Sequence, residues 1–426
     1  MSRASEPYSR AYVGYAMGIV LLVAIFNVVD RTIVAMLVPG IKADLGLGDT
    51  QIGILLGPSF AVVHLLAVLP AAWLADRTSR RTVISIALFV WSAMTSLGAA
   101  ASGFWTLFAT RMGVGIGEAG GAPPSVSLLS DTAPESMRAR ALSSLTIGSL
   151  IGIGLGLTAG GYLAGTLGWR GTLIAVGVPG LAVSLLVRFT LREPPRSGIE
   201  SATPLAAAKH LFGLPSFRWM VFAALLAGVG QMGRTMWEPE FIRRSYGYQG
   251  LEVGITVFVY GALPTALGAY LGSAIADRLR PRDERWPLWV CAIGNFGSAP
   301  LILAFLLLPP APAADGIPVA FGLWIAGSVL VGFFSAPMAA MAQALARPNM
   351  RALAHAIWTM IFTGVGQGLG PWIVGALTEH WSAEYGDDSL RYAIAAMTLA
   401  VAASGLVYAV AAQRVPADLA RLRGGS

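Results

Sequence analysis

The sequence predicts an all-α membrane protein in which twelve transmembrane helices form two pseudo-symmetric bundles of six. Its 426 residues are 55% hydrophobic and only 12% charged, with a mean hydropathy of +0.67, whereas soluble domains carry about 25% charged residues. Its apolar stretches are long enough to cross a bilayer, which takes about 20 residues. The polar ends of some stretches also recur along the chain, which indicates an internal repeat.

The predicted spans are separated by polar residues, glycines and prolines. The first six lie near residues 12–38, 51–75, 82–101, 104–130, 140–166 and 170–190. The second six lie near residues 217–242, 251–276, 286–308, 318–346, 352–378 and 390–413. Between them, Pro, Ser and mixed charge predict a linker with a short amphipathic helix at the membrane surface. We therefore expect an N-terminal bundle (1–191), a cytoplasmic linker (192–216) and a C-terminal bundle (217–426).

The distribution of Lys and Arg predicts the orientation of the chain. Of 29 such residues, 21 lie at the termini and in alternate loops, five lie in the other loops, and three lie within spans. The positive-inside rule places the richer side, and with it both termini, in the cytoplasm. The net charge of +7 does not indicate nucleic-acid binding, because the basic residues are dispersed over short loops. Short loops and the excess of Arg over Lys are typical of a bacterial inner (plasma) membrane protein.

An internal repeat supports two bundles of the same construction. The segment Ala72–Arg81, AWLADRTSRR, matches Ser273–Arg282, SAIADRLRPR, at an offset of 201 residues. Gly53 and Gly254 share that offset, and Pro39 and Pro239 are separated by 200 residues.

The first of these segments resembles the G-x-x-x-D-R-x-G-R-R signature of the major facilitator superfamily, with Ala72 and Ser79 in place of its two glycines. The resemblance implies a cytoplasmic latch, in which a carboxylate near a helix end pairs with arginines. The predicted latch residues are Asp76, Arg77, Arg80, Arg81, Asp277 and Arg278. A plain positively charged loop is the alternative.

Two further segments resemble the Spinster family within this superfamily. Residues 27–31 read N-V-V-D-R and residues 111–119 read R-M-G-V-G-I-G-E-A. This resemblance implies a proton-coupled secondary active transporter of lysophospholipid- or sphingolipid-like substrates. Residues 152–161 also resemble the antiporter motif G-x-x-x-G-P-x-x-G-G, with Leu157 in place of proline. A small-molecule or drug–proton antiporter of the same fold is therefore the alternative, although glycines spaced by four also let helices pack closely.

Charged residues within the spans mark the predicted site, because a charge in hydrocarbon is costly and usually functional. At 1.5 Å per residue, Asp30 and Arg111 lie about 12 and 10 Å from the outer ends of their helices, which predicts an Asp30–Arg111 pair. Glu118 lies about 10 Å deeper on the face of Arg111, and we expect it to be open to the same cavity. Asp30 and Glu118 are the predicted proton carriers, and a permanent structural ion pair is the alternative. Arg31 points about 100° away from Asp30 and either lines the cavity or contacts the second half.

Three other residues are candidates for substrate binding or proton relay. His64 is either a relay or a hydrogen-bonded core imidazole. Arg234 either binds an anionic head group or pairs with Glu238 at i,i+4. Five glycines before Pro123 and Pro124 predict that the fourth span bends or unwinds.

Other classes of protein lack a matching pattern. No Cys/His cluster has metal-ligand spacing, and no Gly-rich loop precedes Lys-Ser or Lys-Thr. We therefore expect no metal, no cofactor and no enzyme activity, since no nucleophile lies beside a base. A non-transporting membrane sensor is the remote alternative. The predicted partners are the bilayer, protons and a lipid-like small molecule, with the chain acting as a monomer.

Overall fold

The computed structural model describes residues 8–195, 204–309, 318–347 and 350–424, and the regular elements in these residues are all helices. The first helices are α1 (Arg10–Leu45), α2 (Asp49–Leu56), α3 (Pro58–Arg77), α4 (Arg80–Gly98), α5 (Phe104–Glu118), α6 (Ala122–Thr132) and α7 (Glu135–Thr190). The next are α8 (Pro204–Phe212), α9 (Pro215–Tyr246), α10 (Gly250–Thr256), α11 (Leu263–Leu279) and α12 (Trp286–Leu307). The last are α13 (Val319–Gly332), α14 (Ser335–Ala344), α15 (Arg351–Thr359), α16 (Gly366–Tyr385) and α17 (Ser389–Gly424). The predicted all-α class is confirmed.

Several of the predicted spans are interrupted, as their glycines and prolines require. The break between α5 and α6 falls after Glu118, at the glycines that precede the Pro pair, and confirms the predicted interruption. In α7, two predicted spans join at Gly168, whose φ of 67° is left-handed and therefore favours glycine. Short π-helical segments, Val257–Ala262 and Met360–Val365, connect α10 to α11 and α15 to α16.

By length and composition, eight helical stretches in the described residues are suited to cross a membrane. Two of these are long enough to cross twice, since Glu135–Thr190 has 56 residues and Leu353–Arg423 has 71. The predicted spans 104–130 and 217–242 are also helical, although the first is broken and the second carries several charges. The count of twelve spans and the cytoplasmic termini stay predictions that these bounds fit.

Contacts between Cα atoms group the chain into two compact units. Unit 1 comprises Met1–Gly48, Pro58–Gly198 and Gln249–Ile255, and unit 2 comprises Asp49–Gly57, Ile199–Tyr248 and Thr256–Ser426. The segment around α2 thus belongs to unit 2, and all of α10 except Thr256 belongs to unit 1. The domain limits 1–191, 192–216 and 217–426 stay a prediction.

Glycine contacts explain where these two segments pack. In unit 2, a methyl group at Gly53 of α2 would lie 2.5 Å from the carbonyl oxygen of Pro371 in α16. In unit 1, a methyl group at Gly254 of α10 would overlap the carbonyl group of Leu157 in α7. Gly53 and Gly254 are 201 residues apart, and Leu157 and Pro371 are equivalent in the matching patterns G-x-G-x-G-L and G-x-G-x-G-P, 214 residues apart. Each unit therefore uses equivalent positions of the repeat for one close backbone contact.

The antiporter-like glycines of α7 also pack α7 against α1. Gly148, Gly152, Gly156 and Gly160 lie one turn apart, and a methyl group on any of them would come within 3 Å of an α1 atom. At Gly152 those atoms are the carbonyl oxygen of Ile25 and Cβ of Val28, both at 2.9 Å. The glycine stripe thus has a packing role, whatever part it takes in transport.

Arg80, the first residue of α4, joins this helix to α6 and to the residues that follow α7. Its Nε donates to Glu193 (2.9 Å), its Nη1 donates to Asp131 (2.5 Å), and its Nη2 donates to the carbonyl oxygen of Pro194 (2.9 Å). Arg80 is 3% exposed, so its charge is satisfied almost entirely by these partners. The start of the linker is thereby fixed to the end of the α3–α4 loop.

Hydrogen bonds also lower the pKa of Glu193. Burial alone would raise the pKa of this carboxyl group, but the Arg80 side chain, the backbone N–H of Arg81 and the Ser79 hydroxyl donate to it. These bonds hold its pKa below the ordinary value of 4.5.

The other latch residues are arranged differently from Arg80. Asp76 and Arg77 are exposed, and the Arg77 guanidinium lies 4.3 Å from the ring centroid of Trp73. Arg81 donates to the carbonyl oxygen of Leu191 at 3.1 Å. Asp277 and Arg278 are likewise exposed at the end of α11. Within the described residues, Arg80 is thus the arginine of the motif that pairs with carboxylates, and its acids lie in α6 and after α7. The latch itself stays a prediction.

Replacing Gly152 with alanine should destabilise the protein, because its methyl group has no room against α1. We expect Gly152→Ala to lower the free energy of unfolding by about 1–3 kcal/mol, the usual cost of overpacking. The matched control is Gly18→Ala in α1, where a methyl group meets nothing within 4 Å. That change should be neutral or stabilising by about 0.5–1 kcal/mol, because alanine favours a helix. Thermal unfolding of the purified proteins in detergent tests both, and equal effects would contradict the packing account.

Glu193→Gln should remove a charge-assisted contribution that depends on pH. At pH 7 we expect a loss of about 1.5–3 kcal/mol of stability. Since the pKa of Glu193 is lower in the folded protein, the unfolded chain takes up this proton first, and the contribution disappears as the pH falls below 4.5. The gap in unfolding temperature between wild type and Glu193→Gln should therefore close in acid. Glu384→Gln, at an exposed position, is the control, and a gap that is independent of pH would refute the assignment.

Candidate functional site

Unit 1 brings charged, polar and aromatic side chains of α1, α3, α4 and α5 into one group, here called the charged cluster. Its members are Asn27, Asp30, Arg31, Phe60, His64, Thr95, Arg111 and Glu118. Asp30, Arg111 and Glu118 are buried at 2%, 6% and 1% exposure. Charges enclosed this deeply are retained at a cost, which marks the cluster as the candidate functional site.

Glu118 pairs with α1. Its Oε2 accepts hydrogen bonds from Nε of Arg31 at 2.5 Å and from Nδ2 of Asn27 at 3.0 Å. Asn27 and Arg31 are four residues apart and so share one face of α1. The other carboxylate oxygen, Oε1, is buried without a hydrogen-bond partner in the described residues. The predicted opening of Glu118 to a cavity is therefore wrong, because its carboxylate is enclosed against α1.

Asp30 faces a different helix. Both of its carboxylate oxygens lie within hydrogen-bond distance of the Thr95 hydroxyl of α4, at 2.7 and 2.8 Å. No ion pair joins Asp30 to Arg111 in the described part of the chain, so the predicted direct pair is wrong. The depths of the two residues did suggest a pair, but Asp30 points about 100° from Arg31 around α1 and meets α4 instead.

Arg111 belongs to the cluster, but no carboxylate of the described residues lies within ion-pair distance of it. Its Nε and Nη1 atoms are buried and have no hydrogen-bond partner among the described residues. Its Cζ lies 5.9 Å from the ring centroid of Phe60, and Cζ of Arg31 lies 4.8 Å from the same centroid. Both distances are within the range of cation–π contacts.

His64 lies beside Phe60 one turn along α3. The two rings are stacked with centroids 5.1 Å apart, and Nδ1 of His64 donates to the carbonyl oxygen of Gly115 at 3.2 Å. This carbonyl lies in the last turn of α5, just before the interruption of the helix. His64 is thus a hydrogen-bonded imidazole packed on an aromatic ring, and its part in proton relay stays a prediction.

Glycines of α5 allow these helices to approach. A methyl group at Gly115 would lie 2.5 Å from the carbonyl oxygen of Phe60 in α3. At Gly113 and Gly117 it would meet Met94 at 2.5 Å and the backbone nitrogen of Trp91 at 2.7 Å, both in α4. Gly115 therefore admits α3 close to the face of α5 that carries Arg111 and Glu118, whereas Gly113 and Gly117 admit α4 on another face of the helix.

In unit 2, the ion pair of α9 lies within one helix. Nη1 of Arg234 is 3.3 Å from Oε1 of Glu238, and both side chains are 6% exposed. Of the two sequence alternatives for Arg234, the i,i+4 pair is therefore the one that forms. Among the described residues, no group of three or more His, Cys, Asp or Glu side chains could hold a metal ion.

Sequence reasoning missed three residues of the cluster as site residues. Asn27 could have been found, because it precedes Arg31 by one turn on α1. Thr95 and Phe60 carry no charge and lie on helices with many similar residues, so no pattern in the sequence distinguishes them.

Comparisons with known proteins agree with this architecture. The family model of the Major Facilitator Superfamily matches residues 20–314. A protein of Mycolicibacterium smegmatis described as an MFS-type efflux pump is 30% identical over 417 residues, which cover 95% of this chain and 94% of that protein. Protein spinster homolog 3 of Danio rerio is 26% identical over 397 residues, covering 88% of this chain and 78% of the relative.

Solved structures give the same result. The crystal structure of a bacterial homologue of the human lysosomal transporter Spinster, in an inward-facing and unoccupied conformation, matches with a TM-score of 0.86 and 25% identity, over 96% of this chain and 99% of that chain. A D-xylose–proton symporter matches with a TM-score of 0.71 at 16% identity, which shows the fold alone. The chain belongs to the Major Facilitator Superfamily and is an integral membrane transporter of the Spinster type, not an enzyme.

Proposed function

We propose that the protein is a proton-coupled secondary active transporter that moves lysophospholipid- or sphingolipid-like amphipathic molecules by alternating access. The observation that carries this proposal is the charged cluster, in which two enclosed carboxylates, Asp30 and Glu118, face two enclosed or half-enclosed arginines. The relatives suggest a bacterial plasma membrane as the location, and we expect the chain to act as a monomer.

Glu118 is suited to exchange a proton. One of its oxygens accepts from Arg31 and Asn27, while the other is buried and has no hydrogen-bond partner among the residues that the structure describes. An ionised carboxylate with an unsatisfied oxygen is costly in a low-dielectric interior, and a proton would remove that charge. The proton would also weaken the hold on Arg31. Protonation and the position of Arg31 are therefore linked, which is what coupling requires.

Asp30 is the second proposed carrier. Its hydrogen bond from Thr95 is neutral, and the positive charges of Arg111 and Arg31 act on it without a direct contact. Both carboxylates interact electrostatically with Arg31 and Arg111, so that the proton can be on either carboxylate while the arginines compensate the other. A permanent structural pair would need only one of them.

The substrate class follows from the resemblance to the Spinster family. Arg234 and Glu238 in unit 2 offer a positive and a negative group on one helix face. Such a pair suits the phosphate and ammonium groups of a zwitterionic head group. A small-molecule or drug–proton antiporter is the second candidate, which the similarity to the MFS-type efflux pump favours.

Flux into proteoliposomes distinguishes these substrates. We expect labelled lysophospholipid or sphingoid substrates to move faster under a pH gradient than without one, and cationic dyes to move little. The reverse preference would assign the protein to drug efflux. Binding of lysolipid without movement under either condition would favour a non-transporting sensor.

Glu118→Gln should separate transport from coupling, because it resembles the permanently protonated residue. We expect substrate exchange to persist while the acceleration by a pH gradient disappears, and Asp30→Asn should reduce that acceleration. Glu252→Gln, on an exposed position at the start of α10, is the control. If both cluster variants keep gradient-driven flux at the wild-type rate, neither carboxylate is the proton carrier.

A further inference from the structure

The buried arginine of α5 lacks the partners that such a charge normally has. Arg111 is 6% exposed, and two of its three guanidinium nitrogens have no hydrogen-bond partner within the described residues. The nearest carboxylates are occupied, since Asp30 accepts from Thr95 and Glu118 accepts from Arg31. A guanidinium group in such surroundings needs another source of stabilisation.

The ring of Phe60 contributes to it, beside the charges of Asp30 and Glu118, which also act on Arg111. The ring centroid lies 4.8 Å from Cζ of Arg31 and 5.9 Å from Cζ of Arg111, so one aromatic ring is shared by two cations. Phe60 is 1% exposed, and cation–π attraction is strongest where water is excluded. The imidazole of His64 stacks beside this ring at 5.1 Å.

The backbone fixes where this ring lies. Gly115 of α5 leaves room for the carbonyl group of Phe60, to which any added methyl group would come within 2.5 Å. Nδ1 of His64 binds the carbonyl oxygen of the same glycine. The segment of α3 from Phe60 to His64 is thus held against Gly115 of α5 by a close backbone approach at Phe60 and by the side-chain hydrogen bond of His64.

We propose that Phe60 is a positioning residue for proton coupling: its ring holds Arg31 beside Glu118 and stabilises Arg111 in the same cluster, so that the two carboxylates respond to one another. This inference rests on the proposed proton coupling. The charged and titratable groups that contact the ring are Arg31 on α1, His64 on α3 and Arg111 on α5. The carboxylates Asp30 on α1 and Glu118 on α5 interact electrostatically with both arginines. A cation that leaves Glu118 remains over the ring, next to the other arginine.

Stepwise fluorination of Phe60 tests this role. Fluorine withdraws electron density from the ring face and weakens its attraction for cations, while the shape of the side chain changes little. We expect a graded shift to higher pH in the protonation of Glu118, because Arg31 is held less firmly. For the trifluorinated ring the shift should be about half a pH unit. The pH profile of flux should move in parallel.

Two readouts keep this proposal separate from the proposed function. The infrared band of protonated carboxyl groups, assigned by its loss in Glu118→Gln, reports protonation in purified protein without transport. Gradient-driven flux in proteoliposomes reports coupling. The control is the same fluorination series at Phe217, a fully buried ring of unit 2 whose edge meets Phe212.

The outcomes decide between a positioning and a packing role. A graded infrared shift at Phe60, with none at Phe217, supports the proposal. An infrared titration that does not change through the series overturns it, even where Phe60→Leu impairs folding or flux. If wild-type protein shows no gradient-driven flux, the proposed function fails, and the infrared series alone still decides whether the ring controls Glu118. Phe60→Tyr, which keeps an aromatic face, should retain most of the wild-type pH profile.

Discussion

The ion pair between Arg31 and Glu118 is the interaction on which the arrangement of unit 1 depends. The fully buried carboxylate of Glu118 is compensated by the charge of Arg31, and the two residues belong to different helices. The helices must therefore approach closely enough for a short hydrogen bond. The glycines of α5 let α3 and α4 pack closely against it, and the glycine stripe of α7 does the same for α1, so that both helices of the pair are held in place. The close packing of helices around this ion pair thus explains the high glycine content, which would otherwise suggest flexibility.

The two units share a backbone plan but differ in their chemistry. Equivalent glycines of the repeat make the close contacts of α2 and α10, so the plan extends to individual atoms. The charged residues of the two units do not follow this repeat. In unit 1 the ion pair joins two helices and depends on their packing, whereas in unit 2 Arg234 and Glu238 pair within one helix. A movement of α1 relative to α5 would change the distance between Arg31 and Glu118. The pair in unit 2 can stay intact while α9 moves as a rigid body.

The sequence predicts the helical class, the break after Glu118 and the residues that carry charge, because these depend on composition and on local backbone preferences. It does not predict the partners. Depth along a helix follows from residue number, which brought Asp30 and Arg111 to one level, but the direction of each side chain decides which neighbour it meets. Thr95 and Phe60 were missed because neutral residues become functional only through the charges packed against them. Glu193 was missed since it lies in a linker without helical periodicity.

The interruption of α5 has a consequence for the imidazole of His64. A carbonyl oxygen can only accept a hydrogen bond, so the contact with Gly115 requires the hydrogen of the neutral ring to be on Nδ1. The lone pair is then confined to Nε2, on the opposite edge of the ring. Any proton that His64 receives must arrive at that edge, while the other edge stays attached to the end of α5. A break in a helix thereby selects one tautomer of a side chain on its neighbour and gives proton uptake by that ring a single direction.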